Sequence, residues 1–197
     1  MQTPGFPACF EALDCGHRER KFEVNQMKTE AIETPRLRLR SFEKEDARFA
    51  ISIWNDPQMG EYLPDEAMEE IENDYVKEIE ALSEDKDCHY LISELKDSHK
   101  RIGTCSFMVS DDGKVYDIAY CVHRNYWRKG YATEAAKGMI DYAVRRGARK
   151  ITVRVNKENV GSNKVVRKLG FVAVGEKTYK KRGTEDVFAD YLYELKV

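Results

Sequence analysis

The residues best suited to chemistry in this chain form a short basic loop, Arg128-Lys129-Gly130-Tyr131-Ala132-Thr133. An apolar run typical of a strand, Val115 to Val122, precedes the loop, and apolar residues at helical spacing follow it from Ala132 to Ala143. A strand that turns sharply into a helix leaves backbone N–H groups without partners at the helix N-terminus, where the helix dipole adds positive charge. With two cationic side chains beside them, these amides are suited to bind a phosphate or pyrophosphate.

Two well-known phosphate loops are excluded by the residues themselves. No Gly-Lys-Ser/Thr follows a four-residue spacer, as a Walker loop requires, and Gly130 is the single glycine of the loop, unlike a dinucleotide fingerprint. Taken alone, the loop is equally compatible with an ordinary turn between a strand and a helix, whose basic residues only improve solubility.

Length and composition predict one domain with a sizeable core, in a chain of 197 residues with a net charge of −2. Residues 65–87 contain eleven acidic and two basic residues, whereas residues 124–182 contain seventeen basic and four acidic ones. The second half is therefore suited to a polyanionic ligand, although solvated helix faces explain most such charges. Nucleic acid is a poor candidate, because the basic strand Arg36 to Arg40 has no aromatic residues for base stacking.

The cysteines indicate a reducing compartment. Five are scattered along the chain without a Cys-x-x-Cys pair or a cluster with histidine, namely Cys9, Cys15, Cys88, Cys105 and Cys121. This predicts reduced thiols in the cytoplasm and no structural metal. No apolar run approaches a membrane span, and no signal-peptide pattern begins the chain. Residues 1–30 lack a steady period and are expected to form a poorly ordered extension before a domain over 31–197.

The elements that must position the loop follow the order β-α-α-β-β-β-α-β-α-β-β, which predicts an α/β fold with a mixed sheet of about seven strands and four helices. Ser41 is expected to cap a helix that runs to Trp54, and a second helix is expected from Met68. Asn159 is expected to cap the last helix and Gly170 to end it. The basic loop then lies at the carboxyl end of a central strand, where α/β sheets usually bind ligands.

Three segments together resemble the GNAT superfamily of N-acetyltransferases, and most closely the branch that contains the ribosomal-protein N-terminal acetyltransferases. They are Thr34-Pro35-Arg36-Leu37, Ile118-Ala119-Tyr120 with Tyr126 to Ala135, and Asn159-x-x-Ser162 with Lys168-Leu169-Gly170-Phe171. Trp127 occupies a position that the family motif gives to Gln or Arg, as in many members of this branch, and Arg128 replaces the glycine that usually follows. The resemblance implies the GNAT fold, splayed at an acetyl-CoA site, and acetyl transfer to a primary amine.

The resemblance also implies which residues bind the donor and the acceptor. Those expected at acetyl-CoA are Tyr120, Cys121, Val122, Arg128, Lys129, Gly130, Tyr131, Ala132, Thr133, Asn159 and Ser162. A backbone N–H near Cys121 or Val122 is expected to stabilise the oxyanion that develops on the thioester. Glu61 and Tyr62, in the loop between the first two helices, are expected to contact the acceptor, which is a protein N-terminus or a small amine.

Candidate catalytic groups are few. Val166 occupies the position at which many family members carry a tyrosine that protonates the leaving thiolate. Ser162, one turn earlier, is a candidate to hydrogen-bond the sulfur, or serves only in helix capping. Asp117 on the central strand is a candidate base acting through water, or else orients loops.

The absence of an obvious strong base in the sequence indicates which type of amine the acceptor provides. An α-amine, with a pKa of about 8, needs little deprotonation at neutral pH, whereas deprotonating a lysine amine, with a pKa of about 10.4, costs roughly 3 kcal/mol more. The sequence therefore favours an α-amine or another weakly basic amine. A non-catalytic acyl-CoA-binding regulatory domain is the alternative, and both a monomer and a homodimer are open.

Overall fold

The computed structural model describes residues 30–64 and 66–197. The helices and strands are β1 (Ile32–Glu33), β2 (Leu37–Ser41), α1 (Ala47–Trp54), α2 (Asn73–Ala81), β3 (Cys88–Leu95), β4 (Arg101–Val109), β5 (Val115–Val122), α3 (Tyr131–Arg145), β6 (Lys150–Asn156), α4 (Val160–Lys168), β7 (Val172–Lys180) and β8 (Val187–Lys196). The strands form one sheet in the order β1-β2-β3-β4-β5-β6-β8-β7. The expected mixed α/β fold is confirmed, with the two-residue β1 added to the seven expected strands. The extension expected over residues 1–30 lies outside the described residues, apart from Glu30.

The sheet opens between β5 and β6, two neighbouring strands that run parallel to each other. They pair only over Val115–Asp117 and Lys150–Thr152. On their outer sides, β5 pairs with β4 from Tyr116 to Val122, and β6 pairs with β8 along its whole length. Each strand is thus fixed by one neighbour while its other edge is freed beyond the short parallel segment. This splayed edge is what the GNAT resemblance implies at the acetyl-CoA site.

Two apolar clusters cover the two faces of the sheet. Beneath α3 and α4 lies the larger one, which includes Leu39, Ile118, Met139, Ile151, Val166 and Tyr193. Against α1 and α2 lies the smaller one, which includes Phe42, Ala50, Ile79, Tyr90 and Ile92. Burying one such aliphatic or aromatic side chain contributes about 1.5–3 kcal/mol. The larger cluster contains Ile118 of β5 and Ile151 of β6, so it fixes the strands on both sides of the opening.

The prediction that Ser41 caps the first helix is wrong. Ser41 is the last residue of β2, and α1 follows a short 3-10 helix, Lys44–Asp46. Asp46 Oδ2 accepts a hydrogen bond from the Glu43 N–H at 2.9 Å, and it also pairs with Arg40 at 2.6 Å. The contact between Glu43 and Asp46 forms a capping box two residues after Ser41, and the ion pair of Asp46 with Arg40 fixes this helix entry to the strand.

The second helix begins later than predicted. α2 starts at Asn73, and Met68 and Ile71 are exposed ahead of it. The side chain of Asn55 holds this segment out of a helix, because it bonds both the N–H of Met68 at 2.7 Å and its carbonyl at 2.8 Å. Near the C-terminus, β7 pairs with β8 as far as Lys180.

The predicted ends of the last helix are confirmed. Asn159 Oδ1 accepts a hydrogen bond from the Ser162 N–H at 2.9 Å, and Gly170 has the left-handed φ of +90° that ends α4. In the described part of the chain, no helix is long and apolar enough to cross a membrane. Residues 30–64 and 66–197 also contain no cluster of His, Cys, Asp or Glu arranged to hold a metal ion.

Candidate active site

The basic loop presents a row of unpaired amides at the start of α3. The Trp127 N–H donates to the Arg124 carbonyl at 3.1 Å, and the Glu134 N–H donates to the Gly130 carbonyl at 3.0 Å. For the N–H groups between them, from Arg128 to Thr133, the described residues provide no acceptor. An anion at this helix end would satisfy several of these donors at once.

The loop turns through two residues with positive φ. Gly130 has a φ of +82°, and Arg128 has a φ of +60°. Glycine adopts this conformation freely, whereas other L-residues are disfavoured there by roughly 1–2 kcal/mol. Arg128 thus takes a backbone conformation in which glycine is the favoured residue, and the tight turn is kept despite the larger side chain.

Contacts from other parts of the fold hold the loop in place. The indole of Trp127 donates a hydrogen bond to the Val122 carbonyl at the end of β5. Arg36 donates through Nη1 to the Lys129 carbonyl at 3.1 Å and through Nε to Glu134 Oε2 at 2.7 Å. The amides of the loop are therefore aimed by β5 and by the turn before β2, and not by the loop's own sequence alone.

The free edge of β5 carries the backbone groups expected beside the pantetheine arm. The His123 N–H donates to the Ile102 carbonyl at 2.8 Å, and the β4–β5 register runs from Gly103 and Val122 to Val109 and Tyr116 without a shift. Backbone groups alternate in direction along an antiparallel strand, so those of Tyr120 and Val122 point away from β4 toward the opening. This geometry favours Val122 over Cys121 as the oxyanion donor. The register contains no bulge beside Asp117.

A cleft of about 240 Å³ lies between the separated strands. Its walls come from β5, β6, the start of α4, the loop after α1 and the hairpin of β7 and β8. They include Met59, Tyr62, Leu63, Pro64, Asp117, Tyr120, Cys121, Arg154, Asn156, Asn159, Ser162, Tyr179, Arg182 and Asp190. The fold thus brings five of the expected site residues into one cavity with Tyr62, namely Asp117, Tyr120, Cys121, Asn159 and Ser162.

Tyr120 and Ser162 form a hydroxyl pair across the cleft. Their oxygens are 2.9 Å apart. The cap of α4 uses the Asn159 side chain and the Ser162 backbone, so the Ser162 hydroxyl is not needed for capping. Burial raises the pKa of Tyr120 to about 12, against the effect of the Ser162 hydrogen bond, so the phenol keeps its proton at neutral pH. The side chain of Tyr120 is a candidate group that the sequence reasoning missed. Val166 is buried in the core.

Asp117 and Cys121 are half-buried on β5 and line the cleft. Asp117 Oδ1 accepts a hydrogen bond from Thr152 Oγ1 at 2.6 Å, while burial raises the pKa of its carboxyl. Burial also raises the pKa of Cys121 to about 12, which keeps the sulfur as an unreactive thiol. This environment suits a packing residue rather than a nucleophile.

The loop after α1 forms the wall expected to face the acceptor. Tyr62 lines the cleft, whereas Glu61 is exposed and absent from the lining. Lys181, itself buried, donates to the Glu61 carbonyl at 2.9 Å, and the Tyr179 hydroxyl donates to the Tyr62 carbonyl at 3.3 Å. The β7–β8 hairpin thereby holds the loop in place, an arrangement that the sequence did not indicate.

Comparison with known proteins identifies the family. A profile described as Acetyltransferase (GNAT) domain matches residues 36–172. The chain belongs to the GNAT acetyltransferase family. Over 150 residues it is 31% identical to the uncharacterized N-acetyltransferase p20 of Bacillus licheniformis. The aligned region covers 74% of this chain and 84% of that protein.

Solved GNAT structures share the fold. A GNAT-family acetyltransferase from Bacillus anthracis has a TM-score of 0.72 at 23% identity, covering 85% of this chain and 98% of that one. An acetyltransferase from Salmonella typhimurium that modifies the N-terminal serine of ribosomal protein L7/L12 has a TM-score of 0.69 at 16% identity. The match covers 85% of this chain and 99% of that one. Spermidine N-acetyltransferase from Vibrio cholerae, in complex with CoA and spermine, has a TM-score of 0.70 at 19% identity. The match covers 82% of this chain and 95% of that one. Structures of the branch that the sequence resembles are thus among the neighbours of this GNAT fold.

Proposed function

We propose that this GNAT protein transfers an acetyl group from acetyl-CoA to the primary amine of a protein N-terminus or of a small molecule, by direct attack in a ternary complex. The observation that carries the proposal is the row of unpaired amides from Arg128 to Thr133 beside the splayed edge of β5. Family membership supports acetyl transfer in general, and the two neighbours described above act on a protein N-terminus and on spermidine.

The residues present fit the donor. The diphosphate of acetyl-CoA carries negative charge, which the unpaired amides at the N-terminus of α3 and the cationic Arg128 and Lys129 would attract. The outward N–H and carbonyl of Tyr120 are suited to pair strand-like with the amides of the pantetheine arm, because the Val122 carbonyl already accepts from the Trp127 indole. Asn159 lines the opposite wall of the cleft. When bound, acetyl-CoA supplies an activated acetyl thioester.

The residues of the chain then have separate tasks. The Val122 N–H is suited to stabilise negative charge that develops on the acyl oxygen. The paired hydroxyls of Ser162 and Tyr120 are suited to donate a hydrogen bond to the departing sulfur, and a thiol pKa of roughly 8.5 makes this help modest. Asp117 stays a candidate for orienting groups in the cleft, since Thr152 already bonds one of its oxygens.

A panel of acceptors tests the function. The full chain is incubated with acetyl-CoA and, in turn, a peptide with only a free α-amine, a matched peptide with only a lysine amine, and a polyamine, while released CoA is measured. We expect acceptor-dependent release, fastest with the α-amine peptide. Turnover of the lysine peptide alone would contradict the preferred acceptor. Acetyl-CoA binding without release for any amine would favour the regulatory-domain alternative.

A further inference from the structure

The acceptor side of the cleft contains a buried carboxylate whose bonding is incomplete. Asp190 lies on β8, is only 9% exposed, and lines the cleft. Its Oδ1 is enclosed, and no hydrogen-bond donor for it is found in the described part of the chain. An enclosed carboxylate oxygen without a donor destabilises the folded state. A ligand that brings an N–H group to this oxygen would remove that cost.

Asp190 shares a face of the sheet with Asp117. The register pairs Asp117 with Thr152, and Asn156 with Asp190. Because side chains two residues apart on a strand share a face, Thr152, Arg154 and Asn156 place both carboxylates on the same side. The loop of residues 59–64 closes this side of the cleft. The family resemblance implies that this loop contacts the acceptor.

The charges around Asp190 suit a proton acceptor. Burial raises the pKa of Asp190 to about 6, against the attraction of Arg154 on β6. Other titratable groups on this face include Lys177 and Tyr179 of β7, Asp117 of β5 and Glu194 of β8. Burial and the charge of Asp190 raise the pKa of Tyr179 to about 12, so the phenol stays neutral. At neutral pH most Asp190 side chains are therefore ionised and able to take up a proton.

We infer that the Asp190 carboxylate binds the primary amino group of the acceptor and takes its proton during acetyl transfer. This rests on the proposed function and assigns a group to its acceptor side. The nitrogen lone pair forms the bond to the acyl carbon, the C–S bond breaks with its electron pair on sulfur, and one N–H proton passes to Asp190. Asp117 is less suited to this role because Thr152 already donates to its Oδ1.

The test compares Asp190→Asn with the wild type over pH 5 to 9, using the α-amine peptide and saturating acetyl-CoA. Asparagine keeps the shape but cannot accept the proton. We expect kcat/KM to fall about 100-fold at pH 8, within the range of general-base catalysis. The ratio of wild-type to variant kcat/KM should decline toward 1 below about pH 6, because wild-type Asp190 is then protonated. Titration of the peptide itself affects both proteins equally and cancels in this ratio.

Asp186→Asn is the matched control, because Asp186 is exposed on the loop before β8 and does not line the cleft. It should leave kcat/KM unchanged. Retention of the acetyl-CoA-induced rise in Tm by Asp190→Asn would support a role confined to the acceptor. Loss of that rise, or a kcat/KM within about twofold of the wild type at pH 8, would overturn the inference.

Asp190→Glu covers the case in which the asparagine variant does not fold. It keeps a carboxylate but displaces it, so the acidic limb of the kcat/KM profile should move to a different pH. An acidic limb at the wild-type pH would overturn the role of Asp190 as proton acceptor. The two proposals fail in different ways. Wild-type protein that releases no CoA with any amine overturns the proposed function, whereas equal turnover by wild type and Asp190→Asn overturns only the role of Asp190.

Discussion

Glu134 Oε2 accepts a hydrogen bond of 2.7 Å from Arg36 Nε, which joins the first turn of α3 to the turn before β2. The other carboxylate oxygen accepts from the Thr34 hydroxyl and the Arg36 N–H, both at 2.7 Å. Since Arg36 also bonds the Lys129 carbonyl, this contact fixes the basic loop against the body of the sheet.

Glu134→Ala should lower both stability and donor affinity. The variant leaves Thr34 and Arg36 without their shared acceptor. Because hydrogen bonds to a charged group contribute strongly to stability, we expect the free energy of unfolding to fall by about 2 kcal/mol. Urea unfolding at pH 7 measures the loss. Asp141→Ala is the control on the same helix, because its pair with Lys137 is exposed and should change stability by less than about 0.5 kcal/mol.

The contribution of Glu134 should also depend on pH. Partial burial raises the pKa of Glu134, but the hydrogen bonds from Thr34 and Arg36 outweigh burial and hold the pKa below its usual value. The carboxylate therefore stabilises the fold fully above the unfolded pKa, and this contribution is lost as the pH falls through the lower folded pKa. The difference in stability between wild type and Glu134→Ala should be smaller at pH 3 than at pH 7. A constant difference would contradict this assignment.

Gly130→Asp and Gly130→Asn test the anion site with two nearly isosteric side chains. Both residues tolerate positive φ, so they share the backbone cost and differ mainly in charge. We expect Gly130→Asp to bind acetyl-CoA at least about tenfold more weakly than Gly130→Asn at low salt, with the gap narrowing as salt screens the repulsion. Titration calorimetry measures both affinities.

Gly113 provides the control for that comparison. It also has a positive φ, of +69°, in the hairpin before β5, and a Cβ added there would meet no atom within 4 Å. Gly113→Asp should leave acetyl-CoA affinity unchanged. Equal affinities of the two Gly130 variants would argue against a phosphate at this loop.

Tyr120 and Ser162 should act as one unit. Tyr120→Phe and Ser162→Ala each remove one end of the 2.9 Å contact, and the helix cap survives because it uses the Ser162 backbone. Each variant is expected to lower kcat by less than about tenfold, since a thiolate leaves readily. The double variant should lose no more than the stronger single variant. Independent, additive losses in kcat at saturating acetyl-CoA would show that the hydroxyls act separately.

The sequence by itself determined the local features of this protein. The strand before the basic loop, the helix after it, the Asn159 cap and the Gly170 stop depend on periodicity, capping and backbone preference among nearby residues. Such signals are contained in a few consecutive positions. The start of α2 was mispredicted where this condition fails, because Asn55 bonds Met68 from thirteen positions away.

The tertiary structure alone decided which polar groups meet in the cleft. Tyr120 reaches Ser162 across 42 positions, and Arg36 reaches Glu134 across 98. Asp190 is one of several charged residues of β8, and its unpaired Oδ1 depends on how β6, β7 and β8 enclose it. Burial and pairing between distant segments are properties of the folded packing, so spacing along the chain cannot specify them.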